Sequence, residues 1–448
     1  MKKRMKIKYI ILLAAVGFLP VTLRAQTEQQ SDAWTLKQCI DYAIAHNINV
    51  QQYAITARQN EVTLNTDKWA RLPTVTGSAG QNWSWGRSAS PIDNSYIDSN
   101  SSNTSLSLGA SVPLFTGFKI PNQYKLSKIQ LKAALADLQK AKEDLSINVT
   151  SSYLQALLNK ELLKVAEEQI TLSRQQLDRL VKMEQVGKAS PAEVSEARAT
   201  VESNKLSAVQ NDNTYKLSVL DLSQMLELPT PEGFNVAQPD MGFAMSKLTP
   251  PDELYQAAVS QKSSILAAQY RLDGSDLSIK IARAGYMPSL SMSLGLGSSY
   301  YTMSGSSVSS FSNQMKNNFN KYIGLSLSVP IFDKFTTRNS IRTAKLQQLN
   351  YSLQLENVKK TFYKEIQQAW YNAVAAENKY SSSQSALEAA KESFQLMRAK
   401  YENGKATAVE YNESQQKLRN AESTLLQAKY DYIFRSKILD FYKGEEIK

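Results

Sequence analysis

Four stretches of this chain alternate between apolar and small polar residues. In the first, Val75, Gly77, Ala79, Gln81, Trp83 and Trp85 interleave with Thr74, Thr76, Ser78, Gly80, Asn82 and Ser84. In the second, Leu106, Leu108, Ala110, Val112 and Leu114 alternate with Ser105, Ser107, Gly109 and Ser111. The third sets Leu290, Met292, Leu294 and Leu296 against Ser289, Ser291, Ser293 and Gly295, and the fourth sets Ile323, Leu325, Leu327, Val329 and Ile331 against Tyr322, Gly324, Ser326 and Ser328. Period two predicts strands at about 74–86, 105–115, 288–301 and 322–332. A soluble sandwich would carry charged residues on its outer face. Here the second face is almost wholly Ser, Thr and Gly, as in a barrel strand with lipid outside and water within.

Aromatic residues fall at both ends of these stretches. Trp83, Trp85, Tyr300 and Tyr301 border the polar loops 87–104 and 302–320, whereas Phe115, Phe118, Phe332 and Phe335 border the helices. Two interfacial girdles are expected. Four strands cannot close a barrel, since about eight are needed, and lipid tolerates no open edge. An oligomer is required, and strand arithmetic alone admits two, three or four copies.

The remaining sequence is helical in long runs. Between Pro121 and Val186 no Gly or Pro interrupts 66 residues, about 100 Å of helix at 1.5 Å per residue. A heptad seam runs through it from Leu131 by way of Leu138, Val149, Ala156, Ala166 and Leu180 to Glu184, and eleven of its 16 positions are apolar, the coiled-coil signature. A second stripe, Ile147, Leu154, Leu158, Val165 and Leu172, allows a neighbour on each side.

The pattern occurs twice. Ser111-Val-Pro-Leu-Phe115 returns as Ser328-Val-Pro-Ile-Phe332, and Val186-Gly-Lys-Ala-Ser190 returns as Asn403-Gly-Lys-Ala-Thr407, both at an offset of 217. Arg71-Leu-Pro73 returns as Tyr286-Met-Pro288 at an offset of 215. We therefore divide the chain into a leader at 1–25, a first repeat at 34–228, a Pro-rich linker at 229–250 and a second repeat at 251–443. Each repeat is expected to run helix, two strands, very long helix (121–186 and 338–402), tight turn, helix (191–227 and 405–441). Thr35–Arg71 and Pro251–Tyr286 are expected to be the opening helices.

Composition agrees with long elements: 17 Gly and 13 Pro make about 7% of the chain, against roughly 12% in average usage. One Cys (Cys39) and one His (His46) allow no intrachain disulfide and no Cys-rich or His-paired metal site, and nucleophilic catalysis finds no pair to stand on. No catalytic residue, metal or cofactor is expected. The formal charge of +11 suggests nucleic acid until the first 25 residues are set aside. They hold six basic and no acidic residues around an apolar core from Tyr9 to Leu19, the pattern of a secretory signal peptide, and leave +5 for the remainder. No nucleic-acid partner is expected.

The doubled order of these motifs, with the opening Trp34-Thr-Leu-Lys-Gln-Cys-Ile-Asp-Tyr-Ala43, resembles the TolC-type outer-membrane efflux family over nearly all of 34–443. The resemblance implies a mainly α fold with transmembrane β. It implies a homotrimer whose strands share one barrel in the lipid of a Gram-negative outer membrane, continuous with a helical tunnel across the periplasm. It further implies a periplasmic adaptor, an inner-membrane pump, and export as the function. Unlike lipidated members, this chain has no Cys near the end of its leader. A barrel-anchored adhesin or envelope scaffold is the alternative, though an adhesin would place its strands together at the C-terminus.

Two sets of site residues follow. Gly187 with Lys188 and Gly404 with Lys405 lie at the turns that meet the adaptor in the family. Glu193 and Glu196 recur at offset 217 as Glu410 and Glu413, and in the family the acidic residues ringing the closed aperture match Glu410 and Glu413. Ser190-Pro-Ala-Glu193 and Thr407-Ala-Val-Glu410 also read as capping boxes. A cation-selective constriction whose like charges raise their own pKa values is expected. The family's basic partner aligns with Ala406, and Lys405 is the candidate substitute.

Overall fold

A computed structural model describes residues 33–89, 95–98, 100–237 and 248–444. The leader 1–25 lies outside the described residues, as do parts of loop 87–104 and of linker 229–250. Thr35 and Gln38 form a capping box that starts α1 (Leu36–His46). The helical composition of Thr35–Arg71 then divides at Asn47, whose backbone is extended (φ −60°, ψ 127°) and whose side-chain oxygen accepts from the N–H groups of Asn49 and Val50. That cap ends α1 and starts α2 (Ile48–Trp69). The opening of the second repeat divides likewise, into α5 (Pro251–Ala258) and α6 (Ser263–Arg283).

Each repeat contributes two main strands: β1 (Thr74–Ser84) and β4 (Ser101–Thr116) in the first, β5 (Ser289–Met303) and β6 (Asn320–Ser328) in the second. The short β2 (Arg87–Ala89) and β3 (Tyr96–Asp98) form a hairpin in the first polar loop. Each strand pair feeds a helix of 67 residues, α3 (Lys119–Gln185) or α8 (Thr336–Glu402), and a turn leads from it to a helix of 35 residues, α4 (Pro191–Met225) or α9 (Ala408–Tyr442). The short α7 (Phe311–Asn317) lies in the second polar loop.

The main sheet is antiparallel throughout, in the order β1-β4-β5-β6. Register places Leu108 opposite Leu296 and Gly77, and Met292 opposite Val112 and Leu325, so one face is apolar through the middle of the sheet, with Gln81 and Lys321 on it only toward the loop end. Ser and Gly pair across the other face, as at Ser78–Ser107, where the hydroxyl oxygens are 2.6 Å apart. The register shifts between Pro113 and Phe115. Proline has no N–H for the ladder, so Leu114 is the extra residue and Phe115, not Leu114, lies opposite Leu290. β6 ends at Ser328, just before Pro330, so Val329, Ile331 and Phe332 lie beyond the strand.

Helices continue the order of the strands. α2 runs into β1, β4 into α3, α6 into β5 and β6 into α8, and neighbours pack in the layer α2-α3-α6-α8. α4 lies along the rest of α3, and α9 along the rest of α8. Asn47 Nδ2 donates to Met225 O (3.3 Å), and Ile48 N–H donates to Glu227 Oε1 (3.3 Å). The shorter helices thus meet end to end beside the long one. Two apolar cores sit at this level, one around Tyr153, Leu157 and Leu222, the other around Phe362 and Ile366. Tyr153 is fully buried, and its hydroxyl lies 2.9 Å from Trp34 O and 2.6 Å from Ala237 O. It pins the start of the first repeat and the start of the linker, which form a parallel bridge at Trp34 and Val236, against α3. In the second core Lys262 pairs with Glu143 at 2.7 Å and lies 5.0 Å from the Phe441 ring. No helix among the described residues is long and apolar enough to cross a membrane.

Candidate functional sites at the bare sheet and the helical tips

Among the described residues the main sheet is bare over most of its surface. Every residue of β1 is exposed, and Val75 (62%), Ile323 (70%) and Leu325 (68%) present bare side chains on the apolar face. Among the described residues the outer edges of β1 and β6 have no strand partner. Where β5 outruns β6 past Gly297, α7 covers the edge: Gln314 accepts from Tyr301 N–H and donates to Tyr301 O (both 2.9 Å), and Asn318 donates to Ser299 O (2.7 Å). Trp83 pairs in register with Ser102, Tyr300 with Thr104 and Tyr301 with Asn103, at the loop end. Phe115 and Phe332 lie at the helix end, in edge-to-face contact with Phe118 (5.4 Å) and Phe335 (5.6 Å). Phe118 and Phe335 cap the long helices in left-handed conformations (φ 65° and 63°), uncommon for bulky residues.

At the far end, the two turns are alike. Gly187 and Gly404 take φ of 73° and 71°. Lys188 N–H bonds to Met183 O and Lys405 N–H to Lys400 O, both at 2.8 Å, and Gly187 N–H bonds to Glu184 O and Gly404 N–H to Tyr401 O. This is the Schellman pattern, which needs a left-handed residue at that place. Lys188 and Lys405 are exposed.

Glu193 closes a capping box: its Oε2 accepts from Ser190 N–H (2.7 Å), and its own N–H donates to Ser190 Oγ (3.3 Å). Glu410 and Thr407 repeat the arrangement at 2.8 and 3.2 Å. The backbone N–H groups of Ser190 and Thr407 hold these carboxyls below their ordinary pKa. Within one chain, therefore, donated hydrogen bonds shift Glu193 and Glu410 opposite to the rise expected from like charges. Glu196 and Glu413 are exposed on the same helices.

Three polar contacts tie the hairpins together near the tips, and sequence reading found none of them. Asn412 Nδ2 donates to Glu196 Oε1 (3.2 Å), Arg179 pairs with Glu402 (3.3 Å) and Arg419 Nη1 donates to Asn204 Oδ1 (2.8 Å). Their partners are more than 200 residues apart, so one sequence carries no local signal for them. Burial lowers the Arg419 pKa. Tyr401 stacks on Tyr411 at 4.9 Å. The basic groups on Glu402 are Arg179 and Arg398, whereas Lys405 makes its described contact through the backbone.

Cys39 is buried, which pushes its thiol up to about 12, and His46 stacks on Tyr42 at 3.9 Å. Among the described residues no group of three or more His, Cys, Asp and Glu could hold a metal ion.

Comparison with known proteins gives a consistent answer. The profile of a family described as outer membrane efflux protein matches residues 39–227 and again 254–444, once per repeat. Outer membrane protein TolC of Escherichia coli (strain K12) is 25% identical over 348 residues, covering 76% of this chain and 70% of the relative. Cation efflux system protein CusC of the same strain is 22% identical over 408 residues, covering 88% and 83%. The crystal structure of the Campylobacter jejuni CmeC outer membrane channel superposes with a TM-score of 0.78 at 20% identity, covering 91% of this chain and 85% of that one.

Proposed function

Since the chain belongs to the outer membrane efflux protein family, we propose that three copies join their sheets into one barrel of twelve strands and stack their helices below it as a tunnel, forming the outer-membrane duct of a tripartite efflux or type I secretion system. The bare apolar sheet with free edges at β1 and β6 carries this reading. Buried in lipid, such a face is stable, whereas an open edge is not. Four antiparallel strands per chain also leave β6 antiparallel to the β1 of the next copy, so closure needs no change of direction.

Cargo then passes from an inner-membrane pump and a periplasmic adaptor, by way of the tips, to the cell exterior. Gly187, Lys188, Gly404 and Lys405 form the surface that meets the adaptor. Glu193, Glu196, Glu410 and Glu413 ring the periplasmic aperture and favour cations. Trp83, Trp85 and Tyr300 form the outer aromatic girdle, whereas Tyr301, expected in it, falls one residue on and so on the Ser and Gly face; Phe115 and Phe332 belong to the inner one. An adhesin or scaffold is less well supported, because the strand pairs sit inside both repeats with helices on each side. Native mass spectrometry of the detergent-solubilised chain should give a particle of three chains. A stable monomer that keeps its strands would overturn the proposal.

A further inference from the structure

On the helices just below the sheet, residues 60–72, 117–130, 274–287 and 333–346 contain eleven Lys and Arg against four Asp and Glu. This net charge of +7 exceeds the +5 that the whole chain keeps beyond its leader, so the rest of the molecule is slightly acidic. All eleven basic residues are exposed. Among the described residues none of them takes part in a salt bridge; the ten that form all lie farther from the sheet. Three of the four acids are engaged by neutral donors: Asp67 by Gln123 (3.3 Å) and Ser127, Asp276 by Gln348, and Asp333 by Thr337 N–H (2.7 Å).

Two of the eleven basic residues contact aromatic rings at the membrane end. Lys68 Nζ lies 4.9 Å from the Trp69 ring centre, and the Arg338 guanidinium carbon lies 5.8 Å from that of Phe335. Arg338, Arg342 and Lys345 are spaced i, i+4, i+7 and so share a helix face with Phe335. Arg338 and Arg342 stand three and seven residues past Phe335, about 4.5 and 10 Å along the helix at 1.5 Å per residue. A headgroup layer is roughly 5–8 Å deep on each side of the hydrocarbon. Side chains that extend toward it can span the difference.

We propose that this band is a docking collar for the anionic phospholipid headgroups of the bilayer leaflet that faces the helices. The inference rests on the trimeric membrane reading above. A cationic band with a net charge of +7 directly under an aromatic girdle complements a negative leaflet surface, and among the described residues of one chain no carboxylate forms a salt bridge with it. The collar sets the depth of the barrel and selects the lipids that surround it.

The test uses the full chain in nanodiscs of phosphatidylcholine with and without 30% phosphatidylglycerol, roughly the fraction at which a leaflet charge is felt, with native mass spectrometry counting both chains and retained lipids. Wild type should retain phosphatidylglycerol over phosphatidylcholine, less so as salt is raised. The triple variant Arg338→Gln, Arg342→Gln, Lys345→Gln should lose at least about threefold of that preference while keeping three chains, and a variant with Arg338→Lys and Arg342→Lys should retain most of it. Equal retention of both lipids by wild type, or an unchanged preference in an intact triple-variant trimer, overturns the collar. An altered ion selectivity of the triple variant with lipid preference intact would place these cations in the lumen, which also overturns it. Particles with any other number of chains overturn the oligomer reading, a separately visible outcome, and the collar with it.

Discussion

Removing the hydroxyl of Tyr153 should loosen the seam between the first repeat and the linker without dissolving the core. The ring is fully buried, and its oxygen lies 2.9 Å from Trp34 O and 2.6 Å from Ala237 O. The loss is unequal at the two carbonyls. Trp34 O also accepts from Ala237 N–H (2.9 Å), so Tyr153→Phe leaves it a partner, whereas Ala237 O, half-buried, loses the one partner it has among the described residues. A buried acceptor left unsatisfied costs about 1–3 kcal/mol, and the ring volume is unchanged, so no cavity adds to it. At about 1.4 kcal/mol per factor of ten, amide hydrogen exchange at Trp34 and Ala237 should accelerate by roughly 5- to 150-fold. Amides in the middle of α8 should not change. Burial raises the Tyr153 pKa above its ordinary value of 10.0. The folded state therefore favours the neutral phenol: the clamp is complete below that value and is lost as pH rises through the higher folded value. Exchange measured by mass spectrometry on the reconstituted protein is the assay. Unchanged protection at Trp34 and Ala237 would refute the clamp, and a uniform loss across the chain would show that the effect is not local.

The tip helices should lose about 0.5–2 kcal/mol each on Ser190→Ala or Thr407→Ala, read as faster exchange in the first turns of α4 and α9. Because Glu193 and Glu410 are held below their ordinary pKa of 4.5, the capping contribution is present above that pH and fades as pH falls through the lower folded values; tip protection that is flat down to pH 3, roughly a unit below an ordinary carboxylate, would contradict it. Planar-bilayer conductance of Glu410→Gln with Glu413→Gln should show weaker cation selectivity and weaker divalent block than wild type, and unchanged values would reduce these residues to helix caps and surface charges. Lys188→Glu with Lys405→Glu should weaken adaptor crosslinking and export; if both persist, the pair has no docking role.

What the sequence made legible is what repeats locally. Period two exposed the strands because no charge falls between the alternating apolar positions, Lys321 standing just ahead of Ile323, and the 217-residue offset exposed the two halves because they keep the same turn chemistry at Gly187 and Gly404. The capping boxes were legible since Ser190, Thr407 and their glutamates are three residues apart. Breaks were harder to see. Asn47 sits within helical composition, and only its extended backbone turns it from a helix residue into a cap. The heptad seam holds in the lower part of α3, where Val149, Ala156, Ala166 and Leu180 are buried, but Leu135 is 49% exposed. There α3 packs between α2 and α6 instead, and Ala133 and Ala134 are buried. At the tips, Arg179–Glu402 and Glu196–Asn412 depend on how two hairpins approach, which no local pattern encodes.

The central claim is that β6 of one copy lies beside β1 of the next. In a Cys39→Ala background, a cysteine replacing Val75 on β1 is paired in turn with cysteines replacing Ile323, Leu325 and Leu327 on β6. A disulfide requires Cβ atoms about 3.5–4.5 Å apart, so only edge-to-edge neighbours in register can form one. The account predicts that at least one pair joins three chains covalently in the membrane, seen as a reducible trimer on denaturing gels. If every pair gives only monomers, the sheets do not close on one another, and the shared barrel is wrong.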